Sequence, residues 1–422
     1  DAERIADAIN TIMTRRVEAQ DIKLEVMKTM SESVLKEFDA AYGGFGPSPK
    51  FPQESVLLFL LRLAEKDGNE DALKAVRKTL HAILNGCITD HVGGGFHRYA
   101  VDRKWVVPHF EKMLYNQALL TLALVRAHRL TGDRRFASGA RRTLDYVLED
   151  LTGPNGGFYS ARDADSEGEE GTFYVWTEEQ IDKALNSEDA TFAKKAFGVT
   201  FEGNFENGTT VLNFSRMPEL IAQNMGLSEK EFDARIAGIA RQLAKVRSAR
   251  EAPHRDEKIL TAWNGMMIAA FAEAADALGE QKYKDAALAA ARFIWENMQQ
   301  NGKISRTWFE GKVSLDGSQE DYAFLANGFI ALFDLTGDKA WLQRAETLVA
   351  TMVEAFRDEQ AGDYYMTASA GTFSRAKVRT DAGTPSGNAA ALEAFAKLSR
   401  RTTTPDHRIN AEALLAALSG LV

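Results

Sequence analysis

The chain has 422 residues, 45% hydrophobic and 26% charged, which is enough apolar side chain for a sizeable core. Its net charge of −9 argues against a nucleic-acid partner, because phosphate binding needs a basic surface. A single cysteine, Cys87, excludes a disulfide framework and a CxxC motif, and no apolar run approaches the ~18 residues of a membrane span.

Residues 1–21 (DAERIADAINTIMTRR onward) have the pattern of an amphipathic leading helix. They lack the basic start and apolar run of a signal peptide, so a cytoplasmic location is expected. There is no initiator Met, and the chain is expected to be a processed or excised piece. Helical spacing then recurs at 22–38, 54–66, 69–87, 110–130, 133–150, 178–186, 228–248, 261–278, 281–299, 319–335, 338–357 and 386–399. An additional C-terminal helix occupies 400–422, and the stretch 187–227 is irregular. TFYVW (172–176) and GTTVLNF (208–214) suggest strands, and are expected to form small hairpins inside loops.

Short and long connections alternate. Tight turns at 63–73, 128–136, 276–286 and 333–345 each carry a Gly and then an acidic or amide residue. The Gly supplies a left-handed helix end, and the next residue caps the following helix. Long loops fill 39–53, 88–109, 152–177, 250–260, 300–318 and 358–385. In an antiparallel series every second connection lies at the same end, and long loops in compact domains are usually functional. The expected architecture is one all-α domain over 1–422, an (α/α)6 toroid of the six-hairpin glycosidase type with small β-hairpins in its loops. A linear solenoid is the alternative, but it would show more uniform repeats.

Five constellations sit on or just after these loops. His97, Arg98, Tyr99, Asp102, Trp105, His109, Glu111 and Asn116 lie within 93–117. Tyr99 and Trp105 suit stacking on sugar faces, His109 suits general acid–base work, and Glu111 is near enough to orient it. A loop held by its own hydrogen bonds is the bland alternative. Asp163, Asp165, Glu167, Glu169 and Glu170 crowd one loop, with Arg162 as the nearest compensating charge. Asp163, Asp165 and Gly168 match an EF-hand loop, but Tyr174 stands where its bidentate Glu belongs, so no metal is expected. Asp163 or Asp165 is expected to act as a catalytic carboxylate. Asp256, Glu257 and Lys258 precede Trp263 and Asn264 at a helix start, a pairing that suits sugar stacking and hydroxyl binding. Asp316, Glu320, Asp321 and Tyr322 form the fourth group, and Ser386 and Asn388 the fifth. Acidic residues in a first turn are also what any helix start prefers.

These loop motifs, GGFGPSPKFP, GGGFHRYAVDRKWVVPHFEKMLYNQA, GGFYSARDADSEGEEGTFYVWT, DEKILTAWNGMMIAA, DGSQEDYAF and TPSGNAA, together resemble the spermatogenesis-associated protein 20-like family. The resemblance covers nearly the whole chain from about residue 22. It implies a six-hairpin barrel similar to those of N-acylglucosamine 2-epimerases and glycosidases, coupled in the family to a thioredoxin-like domain. This chain is expected to hold only the barrel part, without that domain and its cysteines.

Motifs for a P-loop, an HExxH zinc site, a CxxC pair and a GxSxG elbow are missing, and no cofactor is expected. The expected function is sugar hydrolysis or epimerisation in an aromatic- and carboxylate-lined pocket at the long-loop end. Hydrolysis would use Asp163 or Asp165 with Glu257, Asp316 or Glu320. Epimerisation would use His109 with His97. The ligand is expected to be a small molecule or oligosaccharide. The alternative is a non-catalytic barrel that binds a glycan or partners a thioredoxin-like domain.

Overall fold

A computed structural model of the chain describes residues 4, 5, 8, 24–214, 216–369 and 375–420. Apart from residues 4, 5 and 8, the leading helix expected over 1–21 lies outside the described residues. Helix α1 (Leu24–Lys36) comes first. Contacts group the chain into two compact units: unit A is 34–150 with 161–256, and unit B is 1–33, 151–160 and 257–422.

Unit A holds the helical hairpins α2 (Glu54–Asp67) with α3 (Glu70–Asn85), and α4 (Leu114–Thr131) with α5 (Arg134–Asp150). Three of the four predicted turns work as their sequences predict; at 276–286 Gly279 ends its helix at φ of 70°, but Glu280 makes no side-chain cap. Gly68 and Gly132 end α2 and α4 at φ of 65° and 71°, and Asn69 caps α3 through Ala72 N. Every residue of α4 from Leu114 to Val125 is buried, whereas α5 buries one stripe that includes Phe136, Ala140, Leu144 and Val147. An all-round apolar helix must be enclosed, and an amphipathic one covers it. Helices α6 (Glu178–Ala184), α7 (Ser187–Phe197), α8 (Pro218–Asn224) and α9 (Glu229–Arg247) share a core of Trp176, Phe192, Phe197 and Phe232. The stretch 187–227, expected to be irregular, thus contains two helices.

Unit B contains α10 (Thr261–Leu278), α11 (Gln281–Asn297), α12 (Gln319–Thr336), α13 (Lys339–Phe356), α14 (Gly387–Leu398) and α15 (Pro405–Ser419). Helices α10, α12 and α14 pack in series, each with its own hairpin partner outside it. Gly265 and Gly328 let α10 and α12 approach closely. A Cβ on Gly265 would meet the Phe324 backbone at 2.5 Å, and one on Gly328 would meet Gly265 O at 2.7 Å.

A repeated device ends three of the helical segments: an Asp, three residues, a Gly, any residue, then an aromatic. It occurs at Asp39–Phe45, Asp90–Phe96 and Asp358–Tyr364. In each, the Asp side chain accepts from the amides two and three residues on. The Gly (Gly43, Gly94, Gly362) sits at φ of 75–81°, which favours a residue without a Cβ. A buried lysine pins each turn: Lys50 on Asp39, Lys112 on Asp90, and Lys377 on Asp358 and Asp363.

A second device clamps the aromatic residue. Gln117 near the start of α4 bonds both N–H and C=O of Phe96; Asn264 in α10 does the same for Phe158, and Asn388 in α14 for Tyr364.

Short strands finish the loops. In unit A, β1 (Tyr99–Ala100) pairs β2 (Pro108–His109), β3 (Lys112–Met113) pairs β4 (Ala161–Arg162), and β5 (Asp165–Ser166) pairs β6 (Glu169–Glu170). Strand β7 (Arg255–Asp256) adds to β4. In unit B, β8 (Ile259–Leu260), β9 (Gln299–Gln300) and β11 (Lys312–Asp316) all pair with β10 (Lys303–Phe309). The segments 172–176 and 208–214, expected to be hairpin strands, meet only in one bridge between Trp176 and Thr210. The longest hairpin is instead 303–316, turning at Glu310-Gly311.

Candidate functional site

In unit A the β1–β2 hairpin is built from its own side chains. Asp102 accepts from the amides of Lys104, Val106 and Val107 at 2.6–2.9 Å. Trp105 adopts φ of 64° and is buried, its indole donating to Tyr42 O at 3.2 Å. The register sets Tyr99 opposite His109, and their rings stack at 5.1 Å.

His109 lies between two carboxylates. Nδ1 is 2.7 Å from Glu170 Oε1, and Nε2 is 3.0 Å from Glu111 Oε2. The same Glu111 oxygen accepts from Arg98 Nη1 at 3.0 Å, and Arg98 also bonds the Tyr115 side chain. A ring with one N–H donates to one carboxylate and leaves its other nitrogen as the proton acceptor. His109 keeps 25% of its side chain exposed and Glu111 27%, so solvent and a small ligand can reach them.

Behind this row, Asn116 Nδ2 donates to Glu54 Oε1 at 2.8 Å. Burial pushes the Glu54 carboxyl up to about 7, against the lowering effect of the Asn116 bond. Asn116 Oδ1 is buried without a hydrogen-bond partner. His97, expected to share proton transfer, is buried instead. Its Nδ1 is 2.8 Å from Phe110 O, and burial, with Lys112 nearby, pushes the ring down to about 3, so it is neutral. Below it, Asp90 binds Lys112 at 2.8 Å and Arg247 at 2.9 and 3.0 Å. Burial alone would raise Asp90, but the two cations hold it well below the usual carboxylate range.

The acidic loop opens outward. Asp163 and Asp165 are exposed; Asp163 Oδ1 accepts from Ala164 N, and Asp165 pairs with Glu170 across β5–β6. Arg162 does not compensate that loop: it bonds Asp150 and Pro253 O.

In unit B several expected ligand contacts are spent on the fold. The amides of Asn264 and Asn388 make the clamps described above, and Ser386 caps α14 through Ala389 N. Tyr322 OH accepts from Ile304 N at 3.0 Å. Asp321 is buried, accepting from Ala262 N, Ser318 and Arg306. Burial pushes it up to about 6, against the pull of Arg306. Glu320 pairs with Arg306 at 2.9 Å, and Asp316 is exposed at the end of β11. Trp263 is half-buried, and Glu257 lines a cleft with Tyr159 and Trp308.

Glu54, Tyr115 and the bond from His109 to Glu170 were not foreseen. Glu54 reads as an ordinary acidic helix start, and Glu170 lies 61 residues from His109, so only the folded chain joins them.

No protein-family profile matches the chain. It is similar to spermatogenesis-associated protein 20 of Homo sapiens, 35% identical over 425 residues, covering 90% of this chain and 54% of that protein. The chain thus spans about half the length of the curated relatives it matches. Among solved structures it is similar to a D-mannose isomerase, with TM-score 0.57 and 10% identity, covering 94% of this chain and 86% of that one. It is also similar to an unsaturated glucuronyl hydrolase specific for heparin, with TM-score 0.54 and 12% identity, covering 93% and 84%. These likenesses give the fold class, all-α (α/α)6 of the six-hairpin type, as the helix pattern predicts.

Proposed function

We propose that this chain, which belongs to the spermatogenesis-associated protein 20-like family, is a carbohydrate-active domain that moves a proton on an open-chain sugar. His109 is the acid–base group. The observation that carries this reading is the accessible imidazole between Glu111 and Glu170, with Arg98 on the same Glu111 oxygen. In the neutral state a ring nitrogen removes the proton from the carbon beside the sugar carbonyl. The C–H electron pair forms the enediolate, whose oxygen Arg98 stabilises. The proton then returns to the adjacent carbon while the neighbouring hydroxyl's proton passes to the former carbonyl oxygen, which isomerises the sugar, or it returns to the other face of the same carbon with the carbonyl re-formed, which epimerises it. The D-mannose isomerase similarity supports a fold able to host this chemistry, and the residues above supply it.

The test is proton exchange. The chain is incubated in D2O with mannose, fructose, glucose and cellobiose, and loss of the C2 or C1 proton signal is followed by NMR. His109→Asn is expected to slow exchange by about 100-fold or more. Equal exchange by wild type and variant would remove His109 from the mechanism. A second reading is a non-catalytic binding domain of a longer protein. It predicts no exchange with any sugar.

A further inference from the structure

Unit B carries a cleft that the proposed chemistry does not use. One wall is the turn 153–157, closed by Gly153 N to Gly157 O at 2.8 Å and Gly156 N to Gly153 O at 2.9 Å. The opposite wall is the β10 end of the 303–316 hairpin, and β8 forms the floor, with Ile259 paired to Trp308. The space between is a shallow cleft of about 100 Å³, open to solvent on one side. Tyr159, Trp308 and Phe309 line it together with Asn155, Glu257 and Glu310.

The walls are set rather than loose. Trp308 meets Phe293 edge-on at 5.2 Å, which fixes the indole. Gly157 keeps the floor low: a Cβ there would meet Ile259 Cδ1 at 2.6 Å and Phe293 Cδ1 at 2.8 Å. Glu310 and Gly311 turn the hairpin at φ of 47° and 80°, so the turn geometry itself carries Glu310 to the rim. A non-glycine residue in the left-handed region at a binding edge is a strained position. None of the lining residues is cationic, so an anionic ligand has nothing to pair with here.

Aromatic rings beside hydrogen-bond acceptors match a molecule with C–H faces and outward hydroxyls. We infer that this cleft binds a pyranose residue, with Trp308 and Tyr159 against its C–H faces and Glu257, Glu310 and Asn155 on its hydroxyls. The site is a second sugar-binding position, made of residues other than those around His109. It takes its ligand class from the carbohydrate reading above, but it does not need His109 to be catalytic.

The test separates the two. Methyl α-D-mannopyranoside, methyl β-D-glucopyranoside and methyl β-cellobioside have no free carbonyl, so they cannot be isomerised or epimerised through His109. Their binding to the full chain is measured by saturation-transfer NMR and calorimetry. At least one is expected to bind saturably, and Trp308→Ala is expected to weaken it tenfold or more. Glu310→Gln, at an exposed turn that keeps its fold, is expected to weaken it severalfold. His109→Asn is expected to leave this binding unchanged while slowing exchange by about 100-fold or more. Unchanged affinity in both Trp308→Ala and Glu310→Gln overturns the inference, as does the absence of saturable binding by all three glycosides. Binding that depends on Trp308 in a chain showing no exchange keeps the cleft and sinks the proton-transfer reading.

Discussion

At the residue scale, the chemistry of unit A depends on which ionisable groups the fold buries. His97 and His109 lie twelve residues apart in one loop, yet His97 is 2% exposed and neutral while His109 faces solvent between two carboxylates. Residue type alone did not separate them. Glu54 is the clearest titration test. Its native carboxyl sits near 7 against an unperturbed 4.5, so the native state holds its proton more tightly than the unfolded chain. Stability therefore falls as pH rises from 4.5 to 7, by about 3 kcal/mol in total at roughly 1.4 kcal/mol per unit, and is flat outside that window as far as this group is concerned. Glu54→Gln keeps a neutral acceptor for Asn116 and removes this loss. The variant is expected to match wild type at pH 4 and to melt several degrees higher at pH 8, which thermal denaturation at the two pH values checks. A constant difference across pH would mean that Glu54 does not titrate in this range.

At the scale of elements, the loops are ordered by a few repeated contacts. The Asp-x-x-x-Gly-x-aromatic turn and the amide clamp recur, so Gln117, Asn264 and Asn388 serve three helix starts in the same way. This explains why Asn264 and Asn388 read as hydroxyl-binding residues: an amide at a helix start suits both roles, and only the partners decide. Asn264→Ala leaves the N–H and C=O of Phe158 and the C=O of Leu260 without that partner. Each buried unsatisfied group costs about 1–3 kcal/mol, so a loss of about 2–5 kcal/mol is expected in denaturant unfolding. Asn297→Ala, which loses only an i−4 bond to Phe293 O on an exposed helix end, is the control and is expected to cost under about 1 kcal/mol. Equal costs for the two would mean the clamp adds nothing. The buried Lys50, Lys112 and Lys377 belong to the same logic, each neutralising the Asp that starts a turn.

At the scale of the whole molecule, a sugar that binds only the folded chain must raise its melting temperature by mass action. At a hundred times its Kd the stabilisation is about 2.7 kcal/mol. The glycosides above are expected to shift the transition of wild type and of His109→Asn alike, and that of Trp308→Ala less, in a thermal-shift series. The helical architecture was legible in the sequence because it is local. The 3.6-residue apolar period, the Gly and Asn at tight turns, and the alternation of short with long connections place α10 at 261–278 and most other helices to within a few residues. The 303–316 hairpin was also legible in principle, since Asn301-Gly302 and Glu310-Gly311 mark tight turns, but its strand pattern is short and half-exposed. The family was legible because its loop motifs are long and specific. What only tertiary structure decided is the fate of each polar loop residue. A carboxylate or amide has the same composition whether it faces solvent, a partner charge or a backbone group. Glu170 reaches His109, Arg162 goes to Asp150, and Asp321 sinks beneath Arg306, because burial and pairing depend on residues tens of positions away in the chain.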